Sequence, residues 1–98
     1  MHTWRQFWAP TGFTPDGDGT NDMFHFYGGR YIEEFNFIIY DRLGEVVFVG
    51  TSIDDEWDGT FNGNPCPWGV YGWVANYRCT ADGMNKEGTV RGIVSIVR

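Results

Sequence analysis

Asp16, Asp18, Thr20 and Asp22 put oxygen-bearing side chains at alternate positions of a stretch that also holds Gly17, Gly19 and Asn21. Three carboxylates and a hydroxyl at that spacing suit a hard cation, because Ca²⁺ takes several oxygens from a flexible loop. Read as a calcium loop, the four occupy ligand positions one, three, five and seven. Two positions depart from a complete site: Asn21 stands where the sharp-turn glycine belongs, and Tyr27 where a bidentate Glu would close the loop. The same side chains can instead cap their own backbone in successive Asx turns. Both readings stay open. No cofactor is required, and Ca²⁺ enters only as an optional structural staple.

Other chemistry is sparse. Asp58, in Trp57-Asp58-Gly59, could bring a further carboxylate to the same ion, although a tryptophan in such a turn is more often a core plug. Asp54, Asp55 and Glu56 read as a solvated loop. His2 lies at a terminus and His25 inside an alternating stretch, so neither builds a triad. There is no Cys-His pair, and no Walker or Rossmann glycine pattern. The carboxylates have turn-type neighbours and do not suggest two acids facing across a cleft. The chain is therefore expected to be a module and not an enzyme.

The elements that hold these residues read as strands and turns. Ninety-eight residues make one domain, enough to bury a single core. Aromatics at 18%, fourteen glycines and β-branched runs indicate an all-β chain. The best strand is Glu33 to Asp41, with Phe35, Phe37 and Ile39 on one face. Asp41-Arg42-Leu43-Gly44 turns it back into Glu45 to Val49. Met23 to Tyr27 alternates as a strand, Gly69 to Cys79 puts Tyr71, Trp73, Ala75 and Tyr77 on one face, and Gly88 to Val97 closes the fold. About seven strands at near-regular spacing predict an Ig-like antiparallel β-sandwich. Tyr71, just inside the sixth strand, is placed to hydrogen-bond back to the preceding corner. The expected core is Phe24, Phe26, Phe37, Ile39, Val47, Trp57, Tyr71, Trp73, Ile93 and Val97.

Charge and cysteine content narrow the partners. The net charge of −6 speaks against nucleic acid and against an anionic membrane surface. No apolar run is long enough for membrane insertion. Cys66 and Cys79 lack metal-ligand spacing and sit near opposite ends of one extended stretch, so two free, partly buried thiols are expected. No apolar segment follows Met1 to Arg5 in the manner of a signal peptide, which fits a piece of a longer exported protein.

Five ordered blocks then resemble a known family. They are Phe13-Thr14-Pro15-Asp16-Gly17-Asp18-Gly19-Thr20-Asn21-Asp22-Met23-Phe24, Ile39 to Phe48 around Asp41-Arg42-Leu43-Gly44, Trp57-Asp58-Gly59-Thr60-Phe61-Asn62-Gly63, Pro67-Trp68-Gly69-Val70-Tyr71, and Gly92 to Arg98. Together they resemble the gliding-motility-associated C-terminal domain, the type B sorting domain of type IX secretion. On that resemblance the motif residues are Phe13, Pro15, Gly17, Asp18, Gly19, Asn21, Asp22, Arg42, Gly44, Trp57, Asp58, Gly59, Gly69, Tyr71 and Arg98. Thr11-Gly12, Asp16 and Leu43 depart from the family's usual Asn-Ala, Asn and Trp.

The resemblance implies a C-terminal signal, residues 7–98, preceded by a tail or linker remnant at residues 1–6. It implies a fused N-terminal cargo, folding in the periplasm, and recognition by the outer-membrane translocon and its shuttle proteins. The cargo would reach the cell surface or the medium. Apart from the resemblance, a monomer is the expected state, and the sequence leaves dimerisation open. The rival reading is a Ca²⁺-dependent adhesion or carbohydrate-binding module. A contiguous strip of exposed aromatics, drawn from Trp4, Trp8 and Trp68, would favour it.

Overall fold

The computed structural model describes residues 7–15, 22–28, 32–81 and 84–97. Nine strands follow one another, with no helix among the described residues. They are β1 (Phe7–Trp8), β2 (Gly12–Phe13), β3 (Tyr27–Gly28), β4 (Ile32–Tyr40), β5 (Val46–Gly50), β6 (Thr60–Phe61), β7 (Asn64–Pro65), β8 (Gly69–Ala81) and β9 (Met84–Ile96). The main sheet has the order β2-β9-β8-β4-β5. Two short ribbons, β1-β3 and β6-β7, form separate pairs. Neighbours in the main sheet are antiparallel except β2, which lies parallel to β9 through Gly12↔Ser95 and Phe13↔Ile96.

Alternation builds β4 as the sequence predicts. Phe35, Phe37 and Ile39 are buried, while Glu34, Asn36 and Ile38 face outward. β8 matches it in register, pairing Phe37 with Ala75 and Ile39 with Trp73. One bulge interrupts the β4–β5 pair at Ile39/Tyr40, adding a residue to β5 and letting Val47 reach the core. Asn62 and Gly63, at φ 54° and 80°, make the two-residue turn between β6 and β7, with the twist that suits a hairpin.

The second layer packs on this sheet through rings. Phe26 meets Phe37 at 4.8 Å and Trp73 at 4.9 Å, and Phe7 meets Phe35 at 5.0 Å, all edge-on. Edge-to-face contacts of this kind add about 0.5–1.5 kcal/mol each beyond the area they bury. The fold is thus an all-β sandwich with an aromatic centre, and none of the buried residues is charged among those described.

Two expectations are corrected here. Ile93 and Val97 do not belong to the core: they are 58% and 53% exposed, and Val94 and Ile96 are buried in their place. The inward face of β9 runs through Gly92, Val94 and Ile96, because Tyr71 pairs with Val94 and Trp73 with Gly92. A glycine on the buried face hides the alternation, and a reading displaced by one residue exchanges the two faces. Gly92 is small for a reason: a Cβ there would lie 2.3 Å from Cζ2 of Trp73, whose ring covers it. The second correction concerns Met23 to Tyr27. Phe24 and Phe26 are buried as alternation predicts, but only Tyr27–Gly28 is ladder-paired strand, and Phe24 holds on through a single bridge to Trp57.

Candidate functional site

Three turns carry most of the described motif residues, and each is held by side chains acting on nearby backbone. In the β4–β5 turn, Oδ1 of Asp41 accepts from the amides of Leu43 and Glu45, both at 2.9 Å. The Gly44 amide donates to the Asp41 carbonyl at 3.0 Å, and Gly44 sits at φ 87°, where a Cβ would be strained. Arg42 and Leu43 form the apex, and Leu43 is 89% exposed. The turn is rigid in its backbone and open in its side chains.

The second turn is Trp57-Asp58-Gly59-Thr60. Trp57 is fully buried, meets Phe13 at 5.6 Å, and donates from Nε1 to the Thr60 carbonyl at 3.0 Å. Its backbone exchanges two hydrogen bonds with Phe24, at 2.8 and 2.9 Å. Oδ1 of Asp58 accepts from the Thr60 amide at 3.0 Å and from its hydroxyl at 2.6 Å. Trp57 is therefore the core plug, and Asp58 is an exposed capping carboxylate.

The third turn leads into β8. Tyr71 donates its hydroxyl to the Pro67 carbonyl at 2.7 Å, the corner that its position predicts. Its ring meets Trp57 edge-on at 5.4 Å, so the second and third turns are clamped together. Burial, and then the neighbouring Cys66 thiol, pushes the Tyr71 phenol above its ordinary pKa. The first and third turns also meet: Asp41, Arg42 and Leu43 line a groove of about 230 Å³ with Pro67, Trp68, Gly69 and Tyr71. Trp68 is 76% exposed at its rim. Val70 and Ile93 are exposed beside Leu43 in the adjoining depression.

The remaining sequence candidates fall elsewhere. Asp16, Gly17, Asp18, Gly19, Thr20, Asn21 and Arg98 lie outside the described residues, as does Trp4. Of the four loop ligands Asp16, Asp18, Thr20 and Asp22, only Asp22 is described, half-buried two residues before Phe24. Among the described residues, no group of three or more His, Cys, Asp or Glu could hold a metal ion. Asp55 accepts from the amides of Thr51 and Ser52 at 2.7 and 3.2 Å, so the Asp54–Glu56 run is a capped turn as well as a solvated one. Phe13 is buried against Trp57 and Phe24, while Pro15 is half-buried. Cys66 and Cys79 are both buried, and neither is in a disulfide.

Among the described residues, the exposed aromatics do not form one strip. Trp8 stacks on Tyr27 at 4.5 Å, and that ribbon packs through Phe7 on Phe35 and Tyr77. Trp68 stands before Gly69, toward the other end of β8 from Tyr77, about 30 Å away along an extended strand.

The sequence reading missed how closely the Arg42–Leu43 apex and Trp68 approach one another. The signal lay in the strand pairing, because Tyr40 and Gly72 are register partners and bring the turns at that end side by side.

Comparison with family models decides the lineage. The model of the CHU_C type IX secretion signal domain matches residues 7–96. The chain belongs to that family. A comparison with curated proteins finds no match. Membership supports a sorting role, engagement with the secretion machinery, and export across the outer membrane to the surface or medium. The signal domain's ordered turns thus sit on a two-layer scaffold, with Gly44, Asp58 and Tyr71 among the motif residues that fix their backbone.

Proposed function

We propose that this domain is a non-enzymatic C-terminal sorting module, which directs a cargo fused to its N-terminal side through type IX secretion across the outer membrane. The observation that carries the proposal is the family match over residues 7–96. The proposed recognition face is the end of the sandwich where Arg42 and Leu43 meet Trp68, Val70 and Ile93. Exposed side chains on fixed turns suit recognition, since their backbone needs no ordering on contact. The translocon or a shuttle protein would read this apolar apex as part of a folded surface.

The test is a fusion. The domain is joined to the C-terminus of an inert, periplasm-directed reporter in a host with type IX secretion. Reporter on the surface or in the medium with the domain, and retained in the periplasm without it, is the expected result. Equal export with and without the domain overturns the proposal.

A further inference from the structure

Among the described residues, the outer edge of β9 is long and open. β2 pairs with it only at Ser95 and Ile96, and the backbone contacts there end with Ser95 N to Thr11 O and Val97 N to Phe13 O. Among the described residues, nothing pairs with that edge from Met84 to Val94. The register with β8 is unbroken along the whole strand, so no bulge twists the edge away, and the stretch holds no proline. Such an edge is a template for another strand unless something guards it.

The direction of the open groups follows from the bonds at Ser95 and Val97. Both amides point to the outer edge, so in an unbroken strand the amides and carbonyls of Asn85, Glu87, Thr89, Arg91 and Ile93 point there as well. Side chains of these residues lie on the outer face of the sheet, where the Thr89 hydroxyl bonds Asn76 at 2.7 Å and Asn85 meets the Thr80 hydroxyl at 3.0 Å.

We infer that this edge pairs with the same edge of a second copy of the chain, antiparallel and centred on Thr89. Thr89 is the midpoint of the open stretch, so a strand centred there fills it and stops short of β2 at both ends. In that register Thr89 faces Thr89 as a doubly hydrogen-bonded pair. Glu87 then faces Arg91 of the second copy, and Arg91 faces its Glu87, giving two cross-strand ion pairs on the exposed face. A centre at Glu87 or at Arg91 would set like charges directly opposite each other. The charges that would guard an edge against strangers are here self-complementary. The net charge of −6 on each chain opposes the pairing at low salt, and screening at physiological ionic strength weakens that opposition.

The test is sedimentation equilibrium of the 98-residue chain, with Glu87→Arg, Arg91→Glu and the double charge exchange. Both side chains are exposed, and far-UV circular dichroism checks that each variant keeps the fold. The wild-type chain should dimerise reversibly. Each single reversal should raise the dissociation constant by about tenfold, and the double exchange should return it to within about threefold of wild type. A chain that stays monomeric up to about millimolar concentration, well above the range of specific self-association, overturns the inference. So does a dimer that is indifferent to both single reversals, or one that the double exchange does not restore.

Discussion

Replacing Tyr71 with Phe tests the clamp that holds the third turn. The substitution keeps the ring that meets Trp57 at 5.4 Å and removes only the 2.7 Å hydrogen bond to the Pro67 carbonyl. A neutral intramolecular hydrogen bond contributes about 0.5–1.5 kcal/mol net, and an orphaned buried carbonyl would raise the loss to about 1–3 kcal/mol. Pro67 is exposed, so its carbonyl can recover water and the lower range applies. The expected loss is about 1 kcal/mol at pH 7, or about 4–8 °C in Tm for a domain of this size. The dependence on pH carries the sharper test. Burial raises the Tyr71 phenol above the ordinary tyrosine value near ~10. The folded state therefore holds that proton more tightly than the unfolded state. Its contribution is complete below about pH 10 and is lost as pH rises from there through the higher folded value. Urea unfolding followed by tryptophan fluorescence from pH 7 to about pH 11 should show the gap between wild type and Tyr71→Phe closing on the alkaline side. A gap that is absent at pH 7, or unchanged across the range, would refute the corner as a stabilising contact.

Further substitutions probe the register, the plug and the proposed face. Ile96→Ala should cost about 2–5 kcal/mol in urea unfolding and Ile93→Ala under about 1 kcal/mol, because the first is buried and the second exposed. The reverse order would place the other face of β9 inward. Gly92→Val should lose at least about 1–3 kcal/mol by the same assay, since its Cβ must displace the Trp73 ring. Trp57→Ala should lose about 3–5 kcal/mol, since it empties the junction of Phe13, Phe24 and Tyr71 and strands the Thr60 carbonyl. The double substitution Leu43→Ser with Trp68→Ser should leave stability within about 0.5 kcal/mol, because both side chains are exposed, while lowering reporter export.

Much of the fold was legible in the chain, for identifiable reasons. β4 alternates strictly between apolar and polar positions, and its buried set is the one that period two predicts. The Asp41–Gly44 turn announces itself by an aspartate that can cap and a glycine that can take positive φ. Tyr71 was legible as a corner because a tyrosine just inside that strand has a carbonyl within reach behind it. β9 was harder. Gly88 and Gly92 lie on its inward face beneath Tyr77 and Trp73, so two of the positions that should read as apolar carry no side chain. The pairing of Gly12–Phe13 with the end of β9 was equally hidden, because two residues carry no periodicity and their partner is more than eighty positions away. The candidate recognition face was legible as separate motifs but not as one surface, since only the β4–β8 register sets Leu43 and Trp68 at the same end.

The most direct measurement is the amount of domain-tagged reporter outside the outer membrane in two otherwise identical hosts, one with and one without the type IX translocon. The account predicts surface or medium reporter only where both the translocon and this domain are present, with periplasmic retention in the other host. Equal external reporter in the two hosts would contradict it.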